Sequence, residues 1–397
     1  MERRGRGKGA SLAAYDGTLW GRLRKASTTN AAPTRSARSG AAALAPTSPL
    51  VDAAELSPRS KAIGSILGSS GASQSRLLGG SDLPNPFMRA EVGAAMSITL
   101  FHHPDAGENA WSSGRLLERL QKVGLRPDYC CVDEPGWEPA VARTRDMAII
   151  AGGDGTVAKV ATAVISTNVP IAILPTGTAN NIARSLGAFG ELDEVIRGLP
   201  NAVPRQVRIG QARGCWGTRV FLEAVGLGAL VRSVEKLQHA KLNGLEKLKR
   251  GRAAFCKKIA TIKPVRAAVR VDEDLLDRRM LLVEVMKIGM IGPNLRLCPS
   301  IDPADEKLSL VYLPEDARDA MLAWLEAPEA NGPPPLFQVR CRRIQFEADG
   351  EPLRLDDKTV EWDGSTVVLQ PEPNVLTVLT PRGLHERSTR KSELGPR

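Results

Sequence analysis

The run Met147-Ala148-Ile149-Ile150-Ala151-Gly152-Gly153-Asp154-Gly155-Thr156 decides the fold. Its first five residues are apolar throughout, as in a strand buried on both faces, and they empty into a glycine-rich turn before a helix that starts near Val157. Strand, glycines and helix together make phosphate-binding architecture. Gly152, Gly153 and Gly155 let the backbone approach an anion, and the free N–H groups of the helix start point at it. Asp154 cannot bind phosphate as an anion. It fits such a loop if it holds Mg²⁺, directly or through water, or accepts a hydrogen bond that fixes the loop. Thr156 adds a hydroxyl donor. No GxxxxGK[ST] segment occurs, so the loop is not a Walker A loop.

The next strand repeats the design with polar side chains in place of glycines: Pro170-Ile171-Ala172-Ile173-Leu174-Pro175-Thr176-Gly177-Thr178-Ala179-Asn180-Asn181-Ile182-Ala183-Arg184-Ser185-Leu186-Gly187. In a parallel sheet the C-terminal ends of neighbouring strands line one crevice, so the loops at 152–156 and 175–181 face each other there as a nucleotide site. Working outward, strands are expected at 97–102, 128–132, 146–151 and 170–174. Helices are expected at about 110–123, 137–143, 156–166, 179–187 and 191–198. This alternation predicts a Rossmann-like α/β unit over residues 96–203, a parallel sheet covered by helices.

Beyond Pro204 short strands dominate, at 206–212, 218–224, 265–271, 280–288, 307–313, 339–347, 366–370 and 375–379. They predict a β-rich second domain over 204–385. A helical stretch at 229–260 interrupts it, with Lys236, Lys241, Lys247, Lys249, Arg250, Arg252, Lys257 and Lys258 set among leucines and Phe255. A solvated basic helix explains that pattern, and so does a surface that docks on anionic lipid headgroups. Residues 386–397 are polar and read as a frayed tail.

Residues 1–95 are rich in Ala, Ser, Gly, Pro and Arg, without sustained periodicity, and carry 13 basic against 6 acidic residues, so most of the chain's net charge of +10 lies there. They read as a disordered extension, a targeting peptide or upstream sequence joined by a misplaced start. The last is favoured because Met96 stands immediately before the first convincing strand. Aromatic residues are only 4% and basic charge is not spread over the folded part, which argues against nucleic acid as a partner. Six cysteines without metal-ligand spacing, and only four histidines, fit a reduced, cytoplasmic protein whose cysteines are small buried hydrophobes. No apolar run reaches the ~18–20 residues of a spanning helix, so any membrane contact is peripheral.

The pairing of GGDGT with P-x-GT-x-N-x-x-A-R-x-LG resembles the catalytic domain of the diacylglycerol kinase family, which includes sphingosine kinases and bacterial lipid kinases. GGDG alone also occurs in NAD kinases and phosphofructokinases. The opening SITLFHHPDAG is similar to the family's NPxSG start, and the likeness extends over about 97–380. It implies a nucleotide domain, a C-terminal β-sandwich, and ATP- and Mg²⁺-dependent transfer of the γ-phosphoryl group to the hydroxyl of a diacylglycerol-like lipid met at the membrane surface. Carried over, Gly152, Gly153, Asp154, Gly155, Thr156, Thr178 and Asn180 contact ATP. His103 replaces the family's Asn, and Asn181 its Asp. Val220–Gly228 is similar to the strand-and-glycine segment after the domain crossover. Leu297–Leu308 resembles a metal-associated loop in which Asp305 matches one acid, while Ala304 and Glu306 depart from the other Asp and the Gly.

The transferred group's acceptor must lose a proton to a carboxylate, which the resemblance places in a DGE motif. Asp349-Gly350-Glu351 matches literally, although Asp-Gly between Arg343–Glu347 and Pro352–Leu355 is also a hairpin signal. Asp356-Asp357-Lys358 has the better spacing but lacks the Glu. Asp356 is the favoured base, with Asp349 and Glu351 in reserve. The rival functions are an NAD or other small-molecule kinase, and a lipid- or nucleotide-binding relative without catalysis.

Overall fold

The computed structural model describes residues 96–107, 111–234, 244–328, 331–348 and 350–382. The readings of residues 1–95 and of 386–397 fall outside the described residues, as does Asp349.

Four strands make the parallel part: β1 (Ile98–His102), β2 (Asp128–Cys131), β3 (Met147–Gly152) and β4 (Ile171–Pro175), in the order β2-β1-β3-β4. All six residues of β3 are buried. They alternate between two cores, Ala148 and Ile150 in one, Met147, Ile149 and Ala151 in the other. That period of two, with apolar residues on both faces, is why the strand reads as one continuous hydrophobic run. The faces are covered by helices that include α1 (Ser113–Lys122), α2 (Pro139–Arg143), α3 (Asp154–Val164), α4 (Asn181–Ser185) and α5 (Leu192–Gly198). Helix α3 starts two residues earlier than its apolar pattern suggests, so Asp154 and Gly155 form its first turn.

The second half comprises β5 (Val203–Gly214), β6 (Gly217–Phe221), β7 (Ala224–Gly228), β8 (Val265–Val271), β9 (Asp274–Met286), β10 (Leu308–Pro314), β11 (Phe337–Cys341), β12 (Ile344–Glu347), β13 (Leu353–Leu355), β14 (Lys358–Val360) and β15 (Val367–Thr380). Hydrogen bonding is continuous from one half to the other, because β15 pairs parallel with β4 at Val378↔Ile171 and antiparallel with β5 along ten residue pairs. Helices α6 (Ala229–Val234), α7 (Gly244–Thr261) and α8 (Arg318–Glu326) share one core with β9 and β10, through Leu230, Phe255, Ile259, Met321 and Trp324. Burying each of these larger side chains contributes about 1.5–3 kcal/mol.

Several expected strands resolve differently. The 339–347 run is two strands, because the backbone breaks at Arg342 and Arg343, whose N–H groups both donate to Asp272 Oδ1 at 3.0 and 2.9 Å. The segments at 366–370 and 375–379 form one long strand, with a register shift between Pro371 and Val375. The expected strand at 218–224 divides into β6 and β7. Strand β13 is the short strand expected just before Asp356, whereas β14 and helix α8 have no counterpart in the sequence reading. The hairpin expected across Asp349-Gly350 does not form: β12 pairs with β8 and β15, whereas β13 pairs with β7 and β14. The cysteines are all free, but only Cys298 and Cys341 are buried, and Cys215 is exposed.

Candidate active site

Two loops meet at the C-terminal ends of β3 and β4. Gly153 precedes α3 in an extended conformation (φ −91°, ψ −173°) with no side chain capping the helix. The first N–H groups of α3 therefore have no intrahelical partner, and they carry the positive end of the helix dipole. The opposing loop lies backbone to backbone on this one: Gly177 N–H donates to the Gly152 carbonyl at 3.3 Å, and a Cβ on Gly177 would strike the Gly153 backbone.

Asp154 locks the pair together. Its Oδ1 accepts the N–H of Ile182 at 2.8 Å, at the start of α4, which ties the 152–156 loop to the facing one. Burial pushes its carboxyl above the usual range, backbone N–H groups of Ile182 and Asn181 oppose that, and Asp357 adds to it. Asn180 is buried, with φ of 51°, and organises its own loop. Its Oδ1 accepts from Gly177 N–H at 3.1 Å while its Nδ2 donates to the carbonyls of Gly177 (2.7 Å) and Pro175 (3.3 Å). Asn181 Nδ2 donates to the Gly292 carbonyl at 2.9 Å, and its buried Oδ1 has no hydrogen-bond partner. Thr156 is buried, and Thr178 is partly exposed in the facing loop.

The third component comes from far along the chain. Asp356 and Asp357 are the two central residues of the tight turn joining β13 to β14, where Leu355 pairs with Lys358. Asp356 adopts a left-handed conformation (φ 52°) of the kind such turns demand. Its buried carboxylate accepts N–H groups from Leu222 (3.1 Å), Glu223 (2.8 Å) and Ala224 (3.2 Å). Burial raises its pKa to about 6 against the pull of these donors and of Arg354. Asp357 is exposed, and its carboxylate lies so close to Gly155 that a Cβ there would collide with it. The turn thus rests on the first turn of α3.

Beneath the turn, buried Arg354 donates to Glu284 Oε2 at 2.8 Å and to the Asp356 carbonyl, and stands 4.0 Å from Glu223. Burial pushes Glu223 well up, and Asp154 and Asp356 push in the same direction. Glu223 therefore links the loop carboxylate electrostatically to the turn carboxylate. Glu223 Oε1 and Glu284 Oε1 are buried without hydrogen-bond partners.

The other candidates lie apart from this assembly. Glu351 pairs with Arg232 at 2.6 Å. Asp305 pairs with Arg340 and accepts Lys307 N–H at 3.0 Å; no hydrogen bond or ion pair among the described residues joins it to the 152–156 loop. Buried Lys287 holds that segment through the carbonyls of Asp305 (2.7 Å) and Lys307 (3.1 Å). Sequence reasoning gave no role to Asp357, Glu223 or Arg354. The one local signal for Asp357 was an Asp-Asp pair at two-residue hairpin spacing, whereas Glu223 and Arg354 read as ordinary strand residues.

The model of the diacylglycerol kinase catalytic domain matches residues 97–212. A Citrobacter koseri protein described as "Probable lipid kinase YegS-like" is 30% identical over 229 residues, covering 52% of this chain and 72% of that protein. An Escherichia coli protein described as "Probable lipid kinase YegS" is 27% identical over 226 residues, covering 52% and 71%. The crystal structure of a diacylglycerol kinase from Bacillus anthracis str. Sterne shares the fold, with a TM-score of 0.54 and 16% identity, covering 72% of this chain and 98% of that one. The fold is mixed α/β with a central sheet, and the family match together with these relatives makes the protein a kinase. The chain belongs to the diacylglycerol kinase catalytic-domain family. Among the described residues, no helix is long and apolar enough to cross a membrane.

Proposed function

We propose that this kinase uses ATP and Mg²⁺ to phosphorylate the hydroxyl of a diacylglycerol-like lipid, which it meets at the cytoplasmic surface of a membrane. In this reading residues 96–203 bind the nucleotide, and residues 204–385, as a β-sandwich, supply the acceptor side. The observation that carries the proposal is the meeting of the 152–156 and 175–181 loops with the Asp356-Asp357 turn.

The N–H groups at the start of α3, with Gly152, Gly153, Gly155 and Thr178, receive the phosphates. Thr156 and Asn180, both buried, hold the two loops in shape. Asp154 and Asp357 fit Mg²⁺, a hard cation commonly held by one or two carboxylates plus phosphate oxygens. Among the described residues, no set of three acidic, His or Cys side chains makes a self-sufficient metal cage. When bound, the ion neutralises charge on the transferred phosphoryl group. The acceptor's proton passes to the Asp356-Asp357 turn. Asp356 is the base favoured by spacing; the exposed carboxylate is that of Asp357, with Asp356 fixing the turn through three backbone N–H groups. Glu351, Asp349 and Asp305 remain outside this scheme.

The test is label transfer from γ-labelled ATP into mixed micelles of diacylglycerol, sphingoid, monoacylglycerol and phosphatidylglycerol acceptors. Wild type should label one lipid, and Asp154→Ala and Asp357→Asn should each lose turnover by at least a hundredfold with the fold retained by circular dichroism. Label appearing in NAD or another water-soluble acceptor would replace the lipid with a small molecule. ATP binding without transfer to any acceptor would leave a binding protein.

A further inference from the structure

The hairpin of β5 and β6 turns at Cys215-Trp216, because Gly214 pairs with Gly217. A Cβ on Gly214 would strike the Trp216 indole, so glycine there lets the ring lie back over the hairpin. Facing it are β14 and the residues that follow. There Trp362 packs edge-to-face with buried Phe346, ring centroids 6.2 Å apart, and its Nε1–H donates to the Ser365 carbonyl at 2.8 Å. Between the two segments lies an open cavity of about 620 Å³, within the ~300–1,000 Å³ of small-molecule sites. Both of its indoles are half-buried, and its wall begins at Lys358, the residue after Asp357 in the chain.

The polar groups of the wall select the guest. Trp216 Nε1 is buried and has no hydrogen-bond acceptor, which an oxygen atom in the cavity would supply. Arg219 and Lys358 line the same cavity, and among the described residues neither pairs with an acid. Of the acids in the wall, Asp363 is spent on the N–H (3.0 Å) and hydroxyl (2.5 Å) of Ser365, and Glu361 is exposed to water. A cationic guest is disfavoured, because the Arg219 guanidinium already stands over the Trp216 ring, 6.0 Å from its centroid, where an ammonium would sit. A purely apolar guest would leave the indole N–H and both cations unanswered. A metal ion finds no set of three acidic, His or Cys ligands among the described residues. Flat indole faces beside an N–H donor and two cations fit a ring that carries an anionic group.

We infer that this cavity binds a small planar aromatic anion, its ring against Trp216 and Trp362 and its oxygens on Trp216 Nε1, Arg219 and Lys358. None of these residues belongs to the 152–156 or 175–181 loops, so the site is separate from the nucleotide's, whichever acceptor the kinase uses.

The test is calorimetric titration of the full chain with naphthyl phosphate, naphthol and inorganic phosphate, each with and without a saturating non-hydrolysable ATP analogue and Mg²⁺. Naphthyl phosphate should bind one site per chain in both conditions, at least about tenfold more tightly than either half-molecule, because ring and anion contribute together. R219Q/K358Q changes two exposed positions and should lose about tenfold in affinity, and W216F, which keeps a ring but removes the N–H, about fivefold. Circular dichroism should be the same for all three proteins. Unchanged affinity in R219Q/K358Q would overturn the inference, as would inorganic phosphate binding as tightly as naphthyl phosphate, or no binding at all. Binding that vanishes when the ATP analogue is present would put the probe on the nucleotide loops and overturn it too.

Discussion

Replacing Asp356 by Asn isolates the energetic cost of the buried turn carboxylate. The amide keeps an oxygen toward the N–H groups of Leu222, Glu223 and Ala224 but cannot ionise. In the folded chain the Asp356 carboxyl is raised from 3.8 to about 6 by burial. Between those two values the folded state keeps a proton that the unfolded chain has released. The wild type therefore loses stability as pH rises through that window, and the loss levels off above about pH 6. A displacement of this size corresponds to about 3 kcal/mol. Asp356→Asn is spared that loss, so its stability relative to wild type should improve by about 2–3 kcal/mol between pH 4 and pH 7.5. Urea unfolding of both proteins in EDTA at several pH values measures the difference directly. A difference that stays constant with pH, or that falls as pH rises, would refute the idea that Asp356 is held in the fold at an electrostatic cost.

Gly155→Ala places a methyl against the Asp357 carboxylate. It should cost about 1–3 kcal/mol and lower turnover, and Asp357→Gly in the same chain should recover most of the stability in a double-mutant cycle. Arg354→Met removes the partner of Glu284 while leaving Glu223 and Asp356 buried nearby. It should destabilise the chain by about 3–5 kcal/mol in urea unfolding; a cost below about 1 kcal/mol would mean that those carboxyls are already neutral. Lys287, whose pKa burial lowers to about 8, makes wild-type stability rise between pH 8 and pH 10, because the unfolded chain holds the proton there and the folded chain does not. Lys287→Met should abolish that rise, as read by urea unfolding across the same range.

The elements that local pattern specifies were legible in the sequence. Strand β3 could be read because a strand buried on both faces must be apolar at every position, and its glycine turn because only glycine permits the close approach of Gly153 and Gly177. The loop-fixing option for Asp154 was likewise readable from charge alone, since a carboxylate beside a phosphate needs a cation or a donor. The strands of the second half were harder to place. A break such as Arg342-Arg343 depends on Asp272, about seventy positions earlier, whose carboxylate holds both N–H groups. Asp349-Gly350 carries the stronger local turn signal, yet the tight hairpin forms at Asp356-Asp357 because β13 and β14 pair there.

The sequence by itself determined the parallel α/β unit, the two loops that meet at the ends of β3 and β4, and the family, since each of these follows from contiguous residues and their spacing. Only the tertiary structure decided which carboxylates gather at those loops. The Asp356-Asp357 turn reaches α3 because β13 lies against β7, placing Asp356 on the N–H groups of Leu222, Glu223 and Ala224 and Asp357 against Gly155. Such a meeting depends on strand pairing between segments more than a hundred residues apart, and that pairing is fixed by packing and backbone hydrogen bonds that leave no periodic mark in either segment.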